Sequence, residues 1–241
     1  GDERSLDLPL YSLVFPNVTV IAKASCRDVD HAVSGIRNAT ELHWLRAFGV
    51  IDNDRRTTED ISRFKAKGIY AVSVYSVESI YYHPEIQHKI AIRHASVTGE
   101  SAESLVRAAE KAAFSAVTPH AQRLSERAVE RTLRDELDKH WPKQAEIAAG
   151  TPISITIDVA ATVNEEVAML SQAIAEQNLE KIIAHYPVRE TPVLTEVARK
   201  LGFQTRDQYE SAVRRLLMDD AGALDFVKSL FGTLSEDMAG I

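Results

Sequence analysis

The chain has 241 residues, 45% hydrophobic and 26% charged, with ten glycines and eight prolines; this balance excludes a disordered or collagen-like protein. No stretch approaches the ~20 consecutive apolar residues of a membrane-crossing helix, and a net charge of −7 argues against a surface that grips nucleic acid all over. The lone cysteine, Cys26, can form neither an internal disulfide nor a thiolate zinc site, which suits the reducing cytoplasm.

Residues 1–90 read as α/β. Ser5 to Phe15 places Leu6, Leu10, Leu13 and Val14 on one helical face, which Pro16 ends. Val18-Thr19-Val20-Ile21-Ala22 is a β-branched run that predicts a buried strand. A helix is expected over Arg27 to Ile36, and a second strand over Ala47 to Ile51, running directly into Asp52. Thr57 or Thr58 caps the next helix, which Gly68 closes, and Ile69 to Val74 makes the third strand. Strands alternating with helices predict parallel pairing through crossovers.

Residues 91–241 read as mainly helical. Periodicity runs from Ser101 to Phe114 and from Pro119 to Trp141, the latter with a charge run that suits a solvated face. Ile153 to Asp158 alternates and predicts one strand. Helices follow over Val163–Gln177, Leu179–His185, Val193–Leu201, Gln208–Met218 and Leu224–Phe231. Leu216, Leu217, Phe226, Val227, Leu230 and Phe231 form apolar stripes that suit either a core or a homodimer.

The chemistry concentrates in Gly49-Val50-Ile51-Asp52-Asn53-Asp54-Arg55-Arg56. Two carboxylates two residues apart at a strand tip emerge at the C-terminal edge of a parallel sheet, where ligands bind. Close like charges repel unless a cation lies between them, and Mg²⁺ or Mn²⁺ takes such oxygen ligands. A turn and a helix cap use the same residue types, so both readings stand. Glu78, beyond the third strand, reaches the same edge if the strands are neighbours; it also suits a helix N-terminus. Arg55 and Arg56 suit substrate phosphate or surface pairing with Glu59 and Asp60. His83, His88 and His94 fit no zinc spacing and read as structural or exposed.

Over residues 1–90 the sequence resembles the TOPRIM fold, in the branch found with ABC-type ATPases in bacterial anti-phage systems and related to the overcoming-lysogenization-defect nucleases. The likeness is carried by Gly49-Val50-Ile51-Asp52-Asn53-Asp54-Arg55 and Val77-Glu78-Ser79-Ile80, with Gly1-Asp2-Glu3-Arg4-Ser5-Leu6-Asp7, Leu10-Tyr11, Phe15-Pro16 and Ser25-Cys26-Arg27-Asp28-Val29. It implies a parallel sheet flanked by helices and a Mg²⁺- or Mn²⁺-dependent nuclease that cuts DNA, tRNA or other RNA. Asp52, Asp54 and Glu78 would be both catalytic and metal-ligating. It implies a partner ABC-type ATPase, since the chain carries no Gly-x-x-x-x-Gly-Lys-[Ser/Thr] loop. It also implies a further strand, ending in a catalytic glutamate, ahead of Gly1. A catalytically silent binding or sensor module that docks on an ATPase is the alternative. A nucleotide-binding α/β domain is disfavoured, because no glycine-rich fingerprint follows any strand.

Overall fold

The computed structural model describes residues 6–150, 152 and 154–240. The chain begins with α1 (Asp7–Val14) and α2 (Cys26–Asn38). Ser25 starts α2, its Oγ accepting the Asp28 N–H at 3.2 Å. Two short strands follow, β1 (Gly49–Ile51) and β2 (Ile69–Ala71), joined by α3 (Thr58–Ala66). They pair in parallel, Gly49 opposite Ile69 and Ile51 opposite Ala71. Thr57 caps α3 through the Asp60 N–H, and Gly68 closes the connection at φ +79°, a left-handed conformation that glycine adopts without steric cost.

Helix α2 lies so close to β1 that a Cβ on Gly49 would stand 2.6 Å from Val29 Cγ1 and 3.1 Å from Ile69 Cγ1. Gly49→Ala should therefore cost about 1–3 kcal/mol by overpacking; urea denaturation at unchanged activity per folded molecule checks it.

Three strand expectations are corrected. Val18 to Ala22 forms no strand, and Val18 and Ile21 are exposed. A β-branched run records suitability for a pleated surface, but a strand needs a hydrogen-bonded neighbour, and among the described residues none lies beside this one. Residues 154–158 likewise make no strand; Ile153 lies outside the described residues. Asp158 instead caps the next helix, accepting the Ala161 N–H at 2.9 Å. The third strand stops at Ala71 rather than Val74, because Val72 to Ser76 bends while keeping Val72 and Val74 buried.

From Val77 onward the described structure is helical: α4 (Val77–Tyr81), α5 (Pro84–Thr98), α6 (Ala102–Val117), α7 (Ala121–Lys139), α8 (Gln144–Ala148), α9 (Val159–Ala175), α10 (Leu179–His185), α11 (Val193–Lys200), α12 (Arg206–Asp219), α13 (Ala221–Ser229) and α14 (Leu234–Ala239). Helix α5 falls largely in the stretch expected to be helical but was not picked out as an element, although its signals are local. His83 Nδ1 accepts the Glu85 N–H, Pro84 occupies the first turn, Ile86 and Ile90 face inward, and Gly99 ends it at φ +78°. Helix α6 packs on α5 and α11, and α7 on α9. No described helix is long and apolar enough to cross a membrane.

One apolar core runs through both halves of the sequence, from Leu10 and Val72 to Leu217 and Leu234. Tyr209, fully buried, stacks on Tyr82 with centroids 4.7 Å apart and donates its hydroxyl to the Tyr81 carbonyl at 2.9 Å. The Ser73 N–H donates to the Leu230 carbonyl at 2.8 Å, and the Tyr70 hydroxyl to Asp237 at 2.6 Å. The stripes considered for a homodimer are thus largely spent inside the chain: Leu216, Leu217, Val227, Leu230 and Phe231 are all buried.

Candidate functional site

In a parallel pair the backbone polar groups of successive residues point alternately to the two sides. The Gly49 N–H and Ile51 carbonyl bond toward the β2 side, to the Gly68 carbonyl and the Val72 N–H. Val50 therefore turns its polar groups to the other edge, which faces a groove of about 580 Å³. Val18, Val20 and Ala22 line it, as do Asp52, Asp54 and the residues of β1. A second cavity, of about 700 Å³, is lined by Phe48, Gly68 and Tyr70 near the N-terminal ends of the strands, away from these carboxylates.

Asp52 follows β1 directly. Its Oδ1 accepts the Val77 N–H at 3.2 Å, which ties the tip of β1 to the first turn of α4. Glu78 is the next residue of that turn, so the structure brings all three expected carboxylates to one edge. The loop between them is tightly specified. The Asn53 side chain donates to the Val72 carbonyl at 3.0 Å, and the Asp54 N–H to the Tyr75 carbonyl at 3.1 Å. Asp54 and Arg55 are successive non-glycine residues at positive φ, +46° and +61°. Such residues cost about 1–3 kcal/mol each and persist only when their surroundings hold them.

The edge is short of positive charge. Burial, then the charges of Asp54, Asp7 and Glu78, push the Asp52 carboxyl up to about 7, and the Val77 N–H only partly opposes them. Burial and Asp54 likewise push the Tyr75 hydroxyl up.

The cation that pairs with a carboxylate of this edge comes from far along the chain. Arg189, in a short 3₁₀ turn over Val188–Glu190, donates through Nη1 to Glu78 Oε1 at 3.3 Å and Oε2 at 3.4 Å. Burial works against its charge, but Glu78, Asp52 and Asp54 outweigh that and raise its pKa. Ser76 Oγ donates to Glu78 Oε2 at 2.8 Å.

The two expected phosphate contacts are turned elsewhere. Arg55 pairs with Glu166 of α9 at 2.7 Å, and the Arg56 guanidinium lies 5.0 Å over the Phe64 ring while its Nε donates to the Asp52 carbonyl. Among the described residues, no group of three or more His, Cys, Asp or Glu side chains is arranged to hold a metal ion. Two carboxylates with water suffice for Mg²⁺, which keeps most of its hydration shell. The donor set therefore fits a hydrated ion on Asp52 and Asp54, with Glu78 turned toward Arg189. Arg189, Glu166 and Tyr186 were missed as site residues; no local motif marks them, and only the packing of the helices places them here. No family model, curated protein or solved structure matches the chain.

Proposed function

We propose that this chain is a TOPRIM-like, Mg²⁺- or Mn²⁺-dependent nuclease. It acts in the cytoplasm as the effector of an anti-phage system under the control of a partner ABC-type ATPase. The observation that carries the reading is the Val77 N–H on Asp52, which draws Asp52, Asp54 and Glu78 to one strand edge and leaves Asp52 in need of a cation. Asp52 and Asp54 would hold the ion, which when bound supplies Lewis-acid polarisation of a phosphoryl oxygen. The chain's own residues do the rest. Without metal, Asp52 still holds its proton in about half of the molecules at neutral pH; Oδ1 accepts from Val77, which leaves Oδ2 for the proton, and the proton must leave before an ion binds. Ser76 and Arg189 fix the rotamer of Glu78 beside that position. The groove along the open edge of β1 leads extended substrate to the aspartates.

A silent binding or sensor module is the second reading, favoured by the pairing of Glu78 with Arg189, which takes it out of an ion-ligating set with the aspartates. Cleavage of end-labelled DNA and RNA with and without Mn²⁺ separates the two. The nuclease reading expects metal-dependent cuts that Asp52→Asn and Asp54→Asn each reduce by roughly a thousandfold, the several kcal/mol of a lost Lewis acid. Mn²⁺ binding without cleavage of any strand supports the silent module.

A further inference from the structure

We propose that Glu166 and Tyr186 are positioning residues for the aspartate pair, acting through Arg55. The inference rests on reading Asp52 and Asp54 as a cation site, and it assigns a task to the helical region that the sequence alone left without one.

Glu166 lies on α9 and is 5% exposed, in a helix whose other buried side chains are Leu170 and Ala173. A carboxylate so buried needs a partner, and it has two. The Tyr186 hydroxyl donates to Oε1 at 2.6 Å, and Arg55 Nη1 approaches the same oxygen at 2.7 Å. Arg55 Nη1 is buried and makes no aligned hydrogen bond, so its attraction to Glu166 is that of an ion pair. The guanidinium also lies 5.7 Å over the Tyr186 ring, a cation–π contact. Tyr186 itself is 4% exposed and ends α10, its N–H bonded to the Ile182 carbonyl.

Arg55 is the second of two successive residues at positive φ, after Asp54. The sheet side of the loop is held through Asn53 and the Asp54 N–H, and the helical side through Arg55. The turn is also closed by the Arg56 N–H, which donates to the Asn53 carbonyl at 2.9 Å; released from Glu166, Arg55 loses the outer of two holds on a left-handed conformation that an L-residue otherwise avoids. Relaxation there swings Asp54 away from Asp52. Glu166 and Tyr186 touch neither a metal nor a substrate; they set the spacing of the residues that do.

The test uses the whole chain, as wild type, Glu166→Gln and Tyr186→Phe, in two measurements. Amide hydrogen exchange is read at residues 52–56 without metal, and Mn²⁺ affinity is read by calorimetry on the folded protein. Glu166→Gln should accelerate exchange of the Asp54 amide at least tenfold while core amides of α5 keep their protection, and should weaken Mn²⁺ binding about 10–100-fold, as loss of an outer support does. Tyr186→Phe keeps the ion pair and the packing, so it should show the same changes at smaller size; it decides the matter if Glu166→Gln does not fold. Wild-type exchange at Asp54 and wild-type Mn²⁺ affinity in the folded variants overturn the proposal. So does a lower melting temperature with an unchanged Mn²⁺ dissociation constant. If wild type binds no Mn²⁺, the cation reading fails by itself, and the exchange rates still decide whether Glu166 holds the loop.

Discussion

Asp52→Asn is expected to make the metal-free protein more stable at pH 8 while abolishing Mn²⁺ binding. The Asp52 carboxyl is pushed up to about 7, by burial first and then by Asp54, Asp7 and Glu78. In the unfolded chain an aspartate titrates near pH 4. Between those values the folded protein retains a proton that the unfolded chain has released, so this group's contribution to stability falls as pH rises from about 4 to about 7 and is level above. A span of three pH units corresponds to at most about 4 kcal/mol, reduced by the partial exposure of the group. Asparagine keeps the acceptor for the Val77 N–H and never ionises. The gap between variant and wild type should therefore vanish near pH 4, open through the acid range and reach its full size above pH 7. Chemical denaturation at pH 4, 6 and 8 reads it. A variant no more stable than wild type at pH 8 would show that the carboxylate is not held at this cost. Wild-type Mn²⁺ affinity should move the other way, weakening about tenfold per pH unit below 7 because a proton must leave first.

Tyr209→Ala should be the most damaging single change in the core, at about 4 kcal/mol. The ring is fully buried between Tyr82 and Phe203, with centroids 4.7 and 5.4 Å away, and the hydroxyl satisfies the carbonyl of Tyr81. Truncation opens a cavity and orphans that carbonyl at the junction of α4, α5 and α12. Because the larger of two apolar clusters runs from Leu10 to Leu234, the smaller holding Val33, Ile51 and Ile69, the variant should still unfold in a single transition. Scanning calorimetry resolving two transitions, only one of them shifted, would show that the halves fold separately.

The sequence pattern carried the helices and the tip of the sheet well, for reasons visible at particular residues. Ser25, Thr57, Ser101 and Thr205 each cap a helix through a backbone N–H three residues on, and such signals are short-range. Val18–Ala22 and residues 154–158 failed as strands because alternation and β-branching describe one strand and say nothing about its neighbour. The placement of Asp52, Asp54 and Glu78 at one edge was legible because the end of each apolar run fixes where its next residue emerges. Arg189 was not, since its link to Glu78 spans 111 residues. Glu166 carries no local signal in its helix; it becomes a buried ion-pair partner only once α9 and α10 are packed beside the loop.

The groove beside β1 carries its own reporter. Cys26 is exposed and lines that groove at the start of α2, and it is the only cysteine in the sequence. A maleimide dye or nitroxide added to the unmutated protein will attach at one place, so arrival of a nucleic acid strand or a protein segment along β1 can be followed as quenching or line broadening of that label.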